Sequence, residues 1–135
     1  MLRKLSVAFA AGAVGAVANV AFVGIMAQSG ALAAIGINIP APPIPAFLYK
    51  QVAWGGLWGL PLVLPFLSRS WFWRGILLGV LASLAAMFIF FPMHTAGGQG
   101  PGTAGLNIGP LMPVLVLVAN SIWGVVAAYW YKRAV

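Results

Sequence analysis

Met112-Pro-Val-Leu-Val-Leu-Val-Ala-Asn-Ser-Ile-Trp-Gly-Val-Val-Ala-Ala-Tyr-Trp-Tyr131, followed at once by Lys132-Arg133, is the stretch on which the fold turns. It runs 20 residues without a charge, and a helix needs about 20 apolar residues to cross the hydrocarbon core of a bilayer. Two cations directly behind it and three aromatic rings at its end are what a membrane interface selects. Three more segments read the same way: Leu5–Met26, Ala46–Leu67 and Trp71–Met93. Together with Met112–Tyr131 they predict an all-α integral membrane protein, a four-helix bundle in a single transmembrane domain over residues 1–135.

The rest of the chain agrees. It is 63% hydrophobic and 5% charged, with seven Lys and Arg and no Asp or Glu. A soluble domain has about a quarter of its residues charged, so this chain could not clothe a water-facing surface. Without carboxylates there is no acid–base pair, no Ser-His-Asp triad, no hard-cation cage and no Asp/Glu proton relay. Without cysteine there is no disulfide, thiolate metal site or redox motif. No enzymatic activity is expected. The charge of +7 flanks apolar segments rather than forming a patch, so it predicts anionic lipid headgroups as partners, not nucleic acid.

Orientation follows from the basic residues. Arg3 and Lys4 precede the first segment, Arg69 and Arg74 bracket the turn between the second and third, and Lys132 and Arg133 follow the fourth. Four crossings put all six on one side, predicted to be the cytoplasmic face of an inner membrane, and only Lys50 dissents. Trp71, Trp73, Tyr129, Trp130 and Tyr131 cluster at that side, and Phe47, Tyr49, Phe90 and Phe91 near the other. Trp58 and Trp123, well inside their helices, read as packing residues. Arg3-Lys4, an apolar run and Ala31-Leu32-Ala33 have the outline of a cleavable signal. The run is longer than the 7–15 residues usual in such signals, so a retained helix is expected.

The chain also repeats itself. Gly36-Ile-Asn-Ile-Pro40 before the second helix matches Gly105-Leu-Asn-Ile-Gly-Pro110 before the fourth, and Leu57-Trp-Gly59 matches Ile122-Trp-Gly124. The offsets are 69 for the Asn pair and 65 for the Trp pair. Halves of about 1–67 and 68–135 would each be a helical hairpin, related by a rotation of about 180° around the membrane normal.

Small residues recur at helical spacing: Gly12 and Gly15, Gly55 and Gly59, Gly75 and Gly79. Such faces let helices approach closely in lipid, within the chain or against another. Asn19 and Asn120 are the deep amides, joined by Ser83 and Ser121. Amides in hydrocarbon must find partners; they read as interhelical glue, with a polar path for a solute as the alternative. His94 is the only histidine and could serve as one axial ligand to a haem or pigment, or with Met93 hold a soft copper ion. No cofactor is expected. Pro61 and Pro65 should kink the second helix and free carbonyls near the cytoplasmic end.

The segments Ala10-Ala-Gly-Ala-Val-Gly-Ala-Val-Ala18 and Leu111–Tyr129 resemble small, uncharacterised four-helix bacterial inner-membrane proteins. The resemblance implies the fold and no catalytic residue. Histidine often stands in those proteins at the equivalents of Asn120 and of the residues just before Trp54; neither is histidine here, so no histidine role carries over. The leading expectation is a non-enzymatic membrane subunit or scaffold packing against itself or a larger complex. A small passive channel or carrier for a neutral or anionic solute, and a pigment holder through His94, are the alternatives.

Overall fold

Alanine-rich sequence starts the chain as one long helix, α1 (Leu2–Gln28), because alanine loses least on entering a helix. It ends where Gly30 takes a left-handed φ of 81°. A single turn, α2 (Ala31–Ala34), follows, and then α3 (Ile44–Gly59), α4 (Trp71–Ala85), a π-helical turn over Ala86–Phe90, α5 (Phe91–Met93) and α6 (Met112–Ala134). The computed structural model describes residues 1–37, 39, 44–66 and 69–135. The Asn38 half of the Asn match and the Ser68 end of the expected cytoplasmic turn lie outside them.

The chain is all-helical, and no named strand occurs among the described residues. Three helices are long and apolar enough to cross a membrane: Leu2–Gln28, Trp71–Met93 and Met112–Ala134. The second expected span differs. Ala46–Leu67 was expected as one helix, but the α-helix stops at Gly59 after 16 residues and passes through a 3-10 turn, Leu60–Val63, into extended backbone at Leu64. Proline is the reason. Pro61 has no N–H to return to the carbonyl four residues back, and Pro65 drives the residue before it out of the helical region.

The third span is continuous but uneven. Pro92 cannot donate to Phe88, and its ring would strike that carbonyl in a regular helix. The turn just ahead widens instead, and the Phe91 N–H reaches back to the Ala86 carbonyl. At the start of this span the Ser70 side chain caps the helix by accepting from the Trp73 N–H at 3.4 Å. The last turn of α6 holds Lys132 and Arg133, where cations suit the negative end of the helix dipole.

α1 packs against α3 on one side and α6 on the other, and α6 packs in turn against α4. Glycines sit at each crossing. A Cβ on Gly12 would fall 2.9 Å from Gly59 Cα, one on Gly15 2.9 Å from the Trp123 ring, and one on Gly79 2.7 Å from Ser121 Cα. α3 reaches the π-helical turn through the edge-to-face pair Trp54–Phe90 at 5.4 Å, and at the other end Arg74 of α4 reaches the Leu62 carbonyl in the 3-10 turn after α3.

Two apolar clusters fill the interior. One, at the end carrying the termini, gathers Ala8, Leu62, Leu78, Trp123 and Tyr131. The other gathers Leu32, Ile37, Met87, Met112 and Leu115. Leu32 and Ile37 come from the connection after α1 and are 2% and 1% exposed, so that segment forms a lid over the helix ends. Gly109, in the other long connection, lies against the Gly36 carbonyl and Ile37 beneath it.

Candidate functional site

Between the two apolar clusters lies one chain of polar side chains. Asn19 on α1 donates through Nδ2 to Oδ1 of Asn120 on α6 at 3.3 Å. Asn120 donates through its own Nδ2 to Ser83 Oγ on α4 at 3.2 Å. The Ser83 hydroxyl, fully buried, donates to the Gly79 carbonyl at 2.7 Å, with the Val116 carbonyl at 3.2 Å as its second acceptor. Three helices are thereby joined by side chains that hand hydrogen bonds along a line and end on backbone. The two amides are partly buried and Ser83 fully so, which strengthens the bonds and makes an unpaired member costly.

A parallel tie runs one turn closer to the termini. Trp123, 4% exposed, donates from its indole Nε1 to the Gly12 carbonyl at 3.0 Å. The glycine lets the ring approach closely enough to reach backbone, so Trp123 is both filler and fastener. Trp58, which matches it in sequence, makes no such bond among the described residues.

Ser121 stands apart from the amides. It lines a shallow apolar groove on the outer face of the α4–α6 pair, together with Ile76, Val80 and Leu117. Successive positions on a helix point about 100° apart, so a serine next to Asn120 cannot share its direction.

Arg74 does not reach outward to headgroups as its position in the sequence suggested. Its guanidinium donates to the carbonyls of Leu62 and Leu64, at the end of the 3-10 turn where Pro65 supplies no N–H and the helix stops. It also lies over the rings of Phe66 and Tyr131, 5.0 and 5.6 Å from their centroids. A cation is drawn inward because this broken helix end offers both acceptors and aromatic faces. The legible signal was Pro61 and Pro65; that Arg74 answers them depends on the turn folding back. Arg3, Lys4, Arg69, Lys132 and Arg133 remain exposed.

His94 is exposed at the end of α5, with Nδ1 2.7 Å from the Phe90 carbonyl. In the tautomer that donates there, Nε2 is the unspent nitrogen. The arrangement caps a helix end, as Thr95 Oγ1 does beside it by donating to the Phe91 carbonyl at 2.8 Å. Among the described residues no group of three metal-ligating side chains comes together.

The glycines divide by helix pair. Gly12 meets Gly55 and Gly59, while Gly75 and Gly79 meet Gly124 and the Asn120 carbonyl; all serve contacts within this chain. Gly24 has nothing within 4 Å of where its Cβ would stand. Set against known proteins, the chain matches no family, no curated sequence and no solved structure.

Proposed function

We propose that this chain is an integral membrane protein, a four-helix bundle of two hairpin repeats with both termini cytoplasmic. It serves as a non-enzymatic subunit or scaffold that packs in the bilayer against itself or a larger complex. The observation that carries the reading is the polar chain Asn19–Asn120–Ser83, which ends on the Gly79 and Val116 carbonyls. Amides that line a path for a solute present their polar atoms to it; Asn120 and the Asn19 Nδ2 spend theirs on one another and on Ser83. Apolar side chains cover the outside, including Val17, Leu57, Leu81 and Phe88, which suits lipid or a neighbouring helix.

The repeat is supported by equivalent helix contacts. Ala8 and Gly12 meet Gly55 and Gly59 in one half as Gly75 and Gly79 meet Asn120 and Gly124 in the other. The halves differ at one matched position, where α1 has Gly15 against Trp123 and α4 has Ala82.

Extraction in mild detergent, with mass spectrometry of what co-purifies, tests the reading. A foreign membrane protein at fixed stoichiometry, or a stable homo-oligomer, is the expected result. A monomer that passes a neutral or anionic solute in proteoliposomes, with flux altered by Asn120→Leu, would overturn it in favour of a channel.

A further inference from the structure

The α4–α6 pair leaves a groove of about 490 Å³ on its outer face, walled by Ile76 and Val80 on one helix and by Leu117 and Val126 on the other. Ser121 is the small residue along it, and its Cα sits where the two helices come together over Gly79. From Leu117 to Val126 is nine residue steps, about 13 Å of helix. Half of a hydrocarbon core is about 15 Å, so the groove is about one leaflet long, and on α6 it straddles the middle of the Met112–Tyr131 segment.

What lies beyond its end matters as much. Ile122, Val126, Tyr129 and Arg133 follow one another at helical spacing on one face of α6. Arg133 donates from Nε to the Tyr129 hydroxyl at 3.2 Å and lies over that ring, 5.4 Å from its centroid. Its terminal amino groups are left for an anion outside the protein, in the planar fork that suits a phosphate. No Asp or Glu side chain exists in the chain to take that place. Along one face, then, the order is guanidinium, phenol ring and aliphatic trough. A phospholipid has the same order: phosphate, interfacial ester and acyl chain.

We propose that this face is a binding site for one anionic phospholipid of the leaflet next to the termini, its phosphate on Arg133 and one acyl chain between α4 and α6. The proposal rests on the membrane reading given above. Arg133, seven residues beyond Val126 on the same face of α6, favours an occupant that carries an anion at the interface and an apolar chain below it, as a phospholipid does.

The test uses the full chain, stripped of lipid in detergent and titrated with phosphatidylglycerol or phosphatidylcholine under native mass spectrometry. One phosphatidylglycerol per chain is expected, preferred over phosphatidylcholine roughly five- to tenfold, the size of one interfacial cation's contribution. Arg133→Gln should reduce the preference, and Arg3→Gln should leave it nearly unchanged. Ser121→Phe, which fills the trough, should weaken binding of both lipids, while Val17→Phe on α1 should change neither. If Ser121→Phe lowers helicity by circular dichroism, Val126→Trp at the rim replaces it. Equal binding of the two lipids, or an undiminished preference in Arg133→Gln, would overturn the site. So would a trough variant that splits a dimer yet leaves lipid retention intact, which would assign the groove to a second copy. Flotation with liposomes separates the two readings: a chain that floats without preferring phosphatidylglycerol removes the lipid site alone, and one that does not float removes the membrane reading with it.

Discussion

Asn120 is the residue on which most depends, since it both accepts from Asn19 and donates to Ser83. Asn120→Leu removes two bonds and leaves the Asn19 amide without its partner, at about 1 kcal/mol for each bond in a membrane setting. The expected result is a lower melting temperature in detergent with any partner still bound. Adding Asn19→Leu should cost less than its single effect, because the stranded amide is then gone; strict additivity would show that the two amides do not interact. Glycine offers a second contrast at this scale. Gly79→Ala places a methyl 2.7 Å from Ser121 Cα, and overpacking of that kind costs about 1–3 kcal/mol. Gly24→Ala, with nothing nearby, should be neutral or raise stability by up to about 1 kcal/mol. Melting curves of the two variants should separate in opposite directions.

At the scale of the element, the broken end of α3 and the start of α4 form one unit. The 3-10 turn stops before Pro65, and Arg74 closes the carbonyls of Leu62 and Leu64. Arg74→Met should cost about 1.5–3 kcal/mol, the range for hydrogen bonds to a charged group, and should expose the turn to protease before the helices melt. Arg74→Lys should recover only part of that, because an ammonium is a point charge and lacks the fork that spans two acceptors. Equal protease resistance in all three proteins would mean that the turn is held by other contacts.

The whole molecule carries the orientation. Arg69 and Gln99 are both exposed and lie in connections at opposite ends of the Trp71–Met93 span. The chain has no native cysteine, so Arg69→Cys and Gln99→Cys each give a unique thiol. In intact cells an impermeant maleimide should label the Gln99→Cys protein and spare the Arg69→Cys protein until the membrane is opened. The reverse pattern would invert the topology, and labelling of both from outside would remove the short turn from the cytoplasm and with it the four-crossing arrangement.

Sequence by itself determined that the chain forms helices long and apolar enough to cross a membrane. Hydropathy and charge are properties of a residue and its near neighbours, so three long apolar helices and the absence of carboxylate chemistry were legible without coordinates. Proline told where the second span would weaken, though its α-helix ends at Gly59, earlier than the apolar run implied. Tertiary structure alone decided the pairings. Asn19 and Asn120 are 101 positions apart and Trp123 is 111 from Gly12; nothing local says which amide meets which, or that Ser83 joins the line while Ser121 faces outward. It also decided that Arg74 belongs to a helix end rather than to lipid. Such contacts arise from how helices cross, and crossing is set by which glycine faces which across the interior, a relation that the order of residues along the chain does not contain.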